Sequence, residues 1–178
     1  MKRTLAMLAA SAAVGLAGAS YAADESAQVK SKVEYKKDGG YTATRSAERT
    51  TPGGTTNSAE SKVDVDVDSK GHVDKTVKSE STTDPKGLLN KKKDTSETNI
   101  EEKDRGGFKQ TTTRKHTDAE GTNTTYKTVT DVDVDSNGNV TTKATTEKTV
   151  DPKGLMNSKT SSTKTKTVNG NVVEDTSK

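Results

Sequence analysis

Residues 132–140, VDVDSNGNV, decide how the chain folds, and a close copy, VDVDSKGHV, stands upstream at 65–73. In an extended strand the period-2 alternation sends the valines to one face and the aspartates to the other. The glycine that follows closes a hairpin, and the length of the loop sets which residues pair. A two-residue Asn137-Gly138 turn places Val134 opposite Thr141 and drops Val140 among the aspartates. A three-residue loop, Ser136-Asn137-Gly138 with the glycine left-handed at a bulge, places Val134 opposite Val140 and Val132 opposite Thr142. In the upstream copy it pairs Val67 with Val73 and Val63 with Val77. This loop keeps the valines together in both copies. It also accepts Lys70 where the other copy has Asn137, while glycine stays at Gly71 and Gly138. Asp68 and Asp135 then take the first position of a type I turn, where a short carboxylate accepts from nearby backbone N–H groups. Asp64 and Asp131 are expected to face water.

The resemblance between the two stretches extends much further. Residues 33–99 align with 100–166 without a gap, and 26 of the 67 positions are identical. An ungapped period of this kind reads as a duplicated structural unit. Turn signals divide each copy evenly: Asp38-Gly39-Gly40, Pro52-Gly53-Gly54, Ser69-Lys70-Gly71 and Asp84-Pro85-Lys86-Gly87, then their counterparts through Asp151-Pro152-Lys153-Gly154. Segments of roughly ten residues lie between them. The spacing predicts an all-β fold, an extended antiparallel meander of two tandem 67-residue repeats with about four strands each. The expected organisation is a lead-in at 23–32, repeat one at 33–99, repeat two at 100–166, and a partial repeat or cap at 167–178 with a turn at Asn169-Gly170. Pro85 with Gly87, and Pro152 with Gly154, fit type I turns. The pairs Leu88-Leu89 and Leu155-Met156 that follow are read either as a plug closing one edge of each unit or as an exposed docking knob.

The chain opens MKRTLAMLAASAAVGLAGASYAADES, which has the layout of a signal peptide. Lys2 and Arg3 form the basic start, Leu5 to Ala19 the apolar run, and Ala22 the expected cleavage position, leaving 1–22 as leader. An exported protein, periplasmic or extracellular, with no transmembrane span after cleavage is the expectation. Cysteine is absent, so there is neither a disulfide nor a thiol for lipid attachment. From residue 23 onward, 20 of 156 residues are Val, Leu, Ile or Phe while 30 are Thr. So few large apolar groups leave room for substantial disorder. Abundant β-branched threonine instead favours a sheet that tolerates water. Basic and acidic side chains interleave with a formal net charge of only +3 over the whole chain, so nucleic acid is not an expected partner. A membrane β-barrel needs aromatic girdles, and Tyr35, Tyr41, Tyr126 and Phe108 are too few to build them.

Little in the sequence points to catalysis. His72 and His116 belong to no nucleophile, metal or phosphate-loop pattern, and the apolar residues are too sparse to wall a dry pocket. No enzyme and no cofactor are expected. A helix–loop–helix calcium site fails because its twelfth position falls on Ala144 or Val77, and Lys70 sits at the fifth. A weaker cation site on the sheet remains, with calcium as the candidate ion. There Asp66 would face Asp74 and Asp68 would face His72, with Asp133 and Asp135 as the poorer second group. Lys62 and Lys75 are the alternative source of positive charge. The leading reading is a non-enzymatic exported β-repeat protein, structural or interacting at a bacterial envelope or extracellular matrix, with self-association as an option. The alternatives are a disordered, hydrophilin-like periplasmic stress protein and a weak divalent-cation module.

Overall fold

The computed structural model describes residues 26–87, 91–154 and 158–177. The leader at 1–22 and the pairs Leu88-Leu89 and Leu155-Met156 lie outside them. Ten strands follow in chain order: β1 Ser26–Tyr35, β2 Tyr41–Thr50, β3 Thr56–Val67, β4 Val73–Asp84, β5 Lys92–Glu102, β6 Gly107–Thr117, β7 Asn123–Val134, β8 Val140–Asp151, β9 Lys159–Val168 and β10 Asn171–Ser177. They form one sheet whose spatial order is the chain order, and every neighbouring pair is antiparallel. Strands touch only their neighbours in sequence, so the sheet is neither closed into a barrel nor folded onto itself. β1 runs straight through the expected boundary at residue 33. The β3–β4 hairpin and the β7–β8 hairpin stand 67 residues and four strands apart.

The register is that of the three-residue loop. Val67 pairs with Val73 and Val63 with Val77; Val134 pairs with Val140 and Val132 with Thr142. The backbone explains why. Gly138 N–H donates to the Asp135 carbonyl at 3.1 Å, and Asp135 N–H donates to the Asn139 carbonyl at 3.0 Å. The glycine between them has φ 83°, which a residue with a Cβ adopts only under strain. The same pair of hydrogen bonds closes the β1–β2, β2–β3, β3–β4, β5–β6 and β6–β7 loops. One loop design thus sets the register of most of the sheet. The β9–β10 turn departs from it. Asn169 (φ 48°) and Gly170 (φ 83°) make a two-residue turn of the primed kind, and a bulge follows between Val172 and Glu174.

Pairing assigns each residue to a face. Valines 63, 65, 67, 73, 77, 132, 134 and 140 share one face with the tyrosines Tyr35 and Tyr41. Across the first four strands one row of this valine face reads Val33, Ala43, Val63, Val77. The row continues as Thr98, Thr112, Thr128, Thr146, Thr163. Threonine keeps the β-branched methyl and adds a hydroxyl, so neighbours bond along the row: Thr98 and Thr112 Oγ1 lie 3.1 Å apart, Thr128 and Thr146 3.2 Å. Burial is slight. Among the described residues only Gly40, Ala47, Ser61 and Val65 are buried, the last three on the valine face. The other face carries Asp64, Asp66, Asp74, Asp131 and Asp133. Asp64 and Asp131 are not simply solvated as expected; each pairs with a lysine and keeps only 29% and 36% of its side-chain exposure.

Two kinds of glycine follow from this geometry. A Cβ at Gly138 or Gly71 meets nothing within 4 Å, so a substitution there is strained by backbone conformation alone. A Cβ at Gly40 falls 2.1 Å from the Val65 carbonyl oxygen, and one at Gly107 falls 2.2 Å from that of Val132. Gly138→Val should therefore destabilise by roughly 1–3 kcal/mol, whereas Asn137→Lys should stay within about 0.5 kcal/mol. Gly40→Ala and Gly107→Ala should exceed Gly71→Ala, because they push two strands apart. Thermal melts of the five variants check the order, and equal shifts across the set would contradict it.

Candidate functional site

In a meander every second hairpin turns at the same end of the sheet. The β1–β2, β3–β4, β5–β6, β7–β8 and β9–β10 loops therefore line one end, and most of the charged side chains singled out in the sequence gather there. Two kinds of loop alternate. In the first, Asp68 and Asp135 open the turn and fold back on it. Asp68 Oδ1 accepts from the N–H of Lys70 at 2.8 Å and of His72 at 2.9 Å, and its Oδ2 lies 2.9 Å from His72 Nδ1. Asp135 makes the equivalent backbone contacts with Asn137 and Asn139, both at 2.8 Å. In the second kind a lysine opens the turn and reaches away from it. Lys36 Nζ donates to Asp64 and, at 2.5 Å, to Asp66, both on β3. Lys103 does the same to Asp131 and, at 2.6 Å, to Asp133 on β7. Each ammonium spans from the β1–β2 or β5–β6 turn to the second strand beyond it, and so pins two hairpins together.

Further links join the loops sideways. Lys70 Nζ and His72 Nε2 both approach Asp104 Oδ1, at 3.2 and 3.4 Å. Val73 N–H donates to Glu102 Oε2 at 3.0 Å, and Val140 N–H donates to Asn169 Oδ1 at 2.8 Å. The electrostatics follow the contacts. Lys36 is raised, first by Asp64 and then by Asp66; Asp64 is lowered chiefly by Lys36. Lys103 is raised chiefly by Asp131, and Asp133 is lowered chiefly by Lys103. Asp135 is lowered by the Asn139 side chain and backbone.

The candidate cation ligands separate into three environments. Asp66 and Asp74 face each other across β3 and β4. The positive charge that meets Asp66 is Lys36, and Asp133 meets Lys103 in the same way. Asp68 and Asp135 are engaged in their own loops, and His72 is engaged both by Asp68 in its own loop and by Asp104 in the β5–β6 loop. Lys62 approaches Asp64 at 3.8 Å, but Lys75 pairs with Val65 and Ile100 and so lies on the valine face, away from Asp66. Among the described residues no three His, Cys, Asp or Glu side chains form a group that could hold a metal ion. Of the structural turn residues, Gly71 and Gly138 close their loops, and Gly87 and Gly154 both have φ 72° beside Pro85 and Pro152.

Two features were not singled out in the sequence. Lys36 and Lys103 occupy one repeat position, and that coincidence was their only signal. The second is on the valine face, where His116 Nδ1 lies 2.7 Å from Asp94 Oδ1. This pair borders an open trough floored by Ser61, Ser79, Ser96 and Thr112 and flanked by Arg114 and Tyr126. Histidine and carboxylate are 46% and 59% exposed. Water therefore reaches both groups, unlike the desolvated acid–base pairs of active sites.

The Asp68–His72 contact has a definite pH signature. Asp68 is held down to about 2, first by the His72 ring and then by the His72 N–H, and the same contact raises His72. The lowered carboxyl contributes stability that is present above its unfolded value of 3.8 and lost as pH falls through about 2. The raised imidazole contributes below 6.5, and that part is lost as pH rises through its folded value. The melting-temperature gap between wild type and Asp68→Asn should be widest between about pH 4 and pH 6.5. It should narrow, without vanishing, at higher pH, where the backbone contacts remain. The His72 ring resonance of the variant should titrate at lower pH than in wild type; an unchanged midpoint would contradict the contact. Comparison of the chain with protein-family models, curated proteins and solved structures finds no match in any of the three.

Proposed function

We infer that this is an exported, non-enzymatic β-sheet protein, built from two tandem repeats, that acts structurally or through its surfaces at a bacterial envelope or in an extracellular matrix. The observation that carries this reading is the single-layer sheet, ten strands wide, with only four buried residues among those described. Such a chain devotes its length to backbone pairing and polar surface. The polar network at the loop end holds hairpins together, and Asp64, Asp66, Asp68, Asp131, Asp133 and Asp135 in it are already met by lysine, histidine or backbone N–H. That supports a structural role for them over cation binding. Threonine in place of valine on the later strands supports a sheet that works in contact with water.

Two measurements test the reading. Fractionation of a bacterial host expressing the full chain should place the product outside the cytoplasm with Ala23 as its first residue; an intact Met1 in the cytosol would overturn export. In far-ultraviolet circular dichroism, Val65→Asp should lower sheet content, because it sets a carboxylate at a position only 8% exposed. A hydrophilin-like chain would be indifferent to that change. A cation module would instead gain order with calcium and lose the gain in Asp66→Asn or Asp133→Asn.

A further inference from the structure

A meander of ten strands leaves two free edges, and the exposed apolar side chains concentrate on them. Among the described residues eight large hydrophobic side chains stand exposed, of which Val29, Val33 and Tyr35 lie on β1 and Val172 and Val173 on β10. Their exposures run from 54% to 85%. Edge strands ordinarily carry charge that repels a copy of themselves. Here the two edges carry opposite charge. β1 has Lys30 and Lys32 against Glu34, while β10 has Glu174 and Asp175 and no base. Nine antiparallel pairings in succession make β1 and β10 run in opposite directions. A second copy in the same orientation can therefore set its β1 beside β10 and continue both the antiparallel alternation and the valine face.

We propose that β10 of one copy pairs with β1 of the next, so that the protein assembles head to tail into a continuous sheet. This rests on the structural role proposed above and names the partner as a second copy of this chain. One register uses the whole of β10. Glu174 sits opposite Lys32 and Thr176 opposite Lys30 on the aspartate face, and Val172 lies beside Val33 on the valine face. Ser177 meets Val29 there, and the bulge at Val173 is carried into the new pair. The contact is heterologous, so each added copy leaves one β1 and one β10 edge free, and growth continues unless the rotation between copies closes a ring. Each copy adds about 48 Å of sheet width, ten strands at roughly 4.8 Å.

The absence of cysteine gives a clean test. Val33→Cys and Val172→Cys variants of the full chain, mixed and oxidised, should form the mixed 33–172 disulfide, since directly paired strand positions lie within bridging distance. Val33→Cys alone should give little dimer. In sedimentation velocity the wild type should shift to larger species with concentration. Glu174→Lys and Lys32→Glu should each weaken that association by about tenfold, and the double variant should recover it. Circular dichroism checks that the sheet persists in every variant. A monomer at all concentrations, a dominant 33–33 disulfide, or charge reversals without effect would each overturn the proposal. These outcomes are separable from the export test. An exported monomer ends the edge pairing alone, and an assembling chain retained in the cytosol ends the envelope role alone.

Discussion

The whole sheet depends on a three-residue loop in which glycine alone takes a left-handed conformation. A side chain on a strand has two possible faces, and a slip of one residue exchanges them. The glycine bulge removes that freedom by locking the count of residues between Val67 and Val73, and between Val134 and Val140. Once those pairs are set, every other residue on the hairpin has its face. Because six loops share the pattern, the constraint is repeated across the sheet. No large core is needed to choose the register, which suits a chain with so few apolar side chains.

What remains is to hold hairpins to one another without a second layer. Backbone pairing does part of this, and the lysines at the loop end do another part. Lys36 and Lys103 each bridge two aspartates on a strand that is not their neighbour. Aspartates two apart on one strand face repel, and an ammonium placed between them converts that repulsion into a tie. Individual ion pairs of this exposure are weak. Their use here lies in position, since they connect elements that share no ladder of hydrogen bonds.

The hairpin register was legible in VDVDSNGNV because two local rules, alternation and loop chemistry, agreed on one answer. The antiparallel meander of strands about ten residues long followed from the spacing of glycine and proline. The lysine bridges were not legible. Lys36 and Asp64 are far apart in the chain, and their meeting depends on how far a side chain extends past an intervening strand, which no pattern encodes. The treatment of Asp64 as solvated failed for that reason. Placing Lys75 near Asp66 was a different kind of error, because the alternation itself puts residue 75 on the opposite face. The three-residue loop also recurs where the sequence offers Gly39 and Gly106, without the aspartate that marks it at Asp68 and Asp135.

A sheet in which each strand touches only its predecessor and successor is, thermodynamically, a linear chain of coupled links. Its stability is close to a sum of hairpin terms and junction terms, as in repeat proteins. Opening should begin at the ends and travel inward, giving amide protection that rises from β1 and β10 toward the middle. Folding needs no distant loop to close, since all pairing is between neighbours, which favours rapid zipping from any hairpin. Pulled across the strands, such a structure would yield one strand at a time and lengthen in steps, behaving as an extensible ribbon instead of a brittle block.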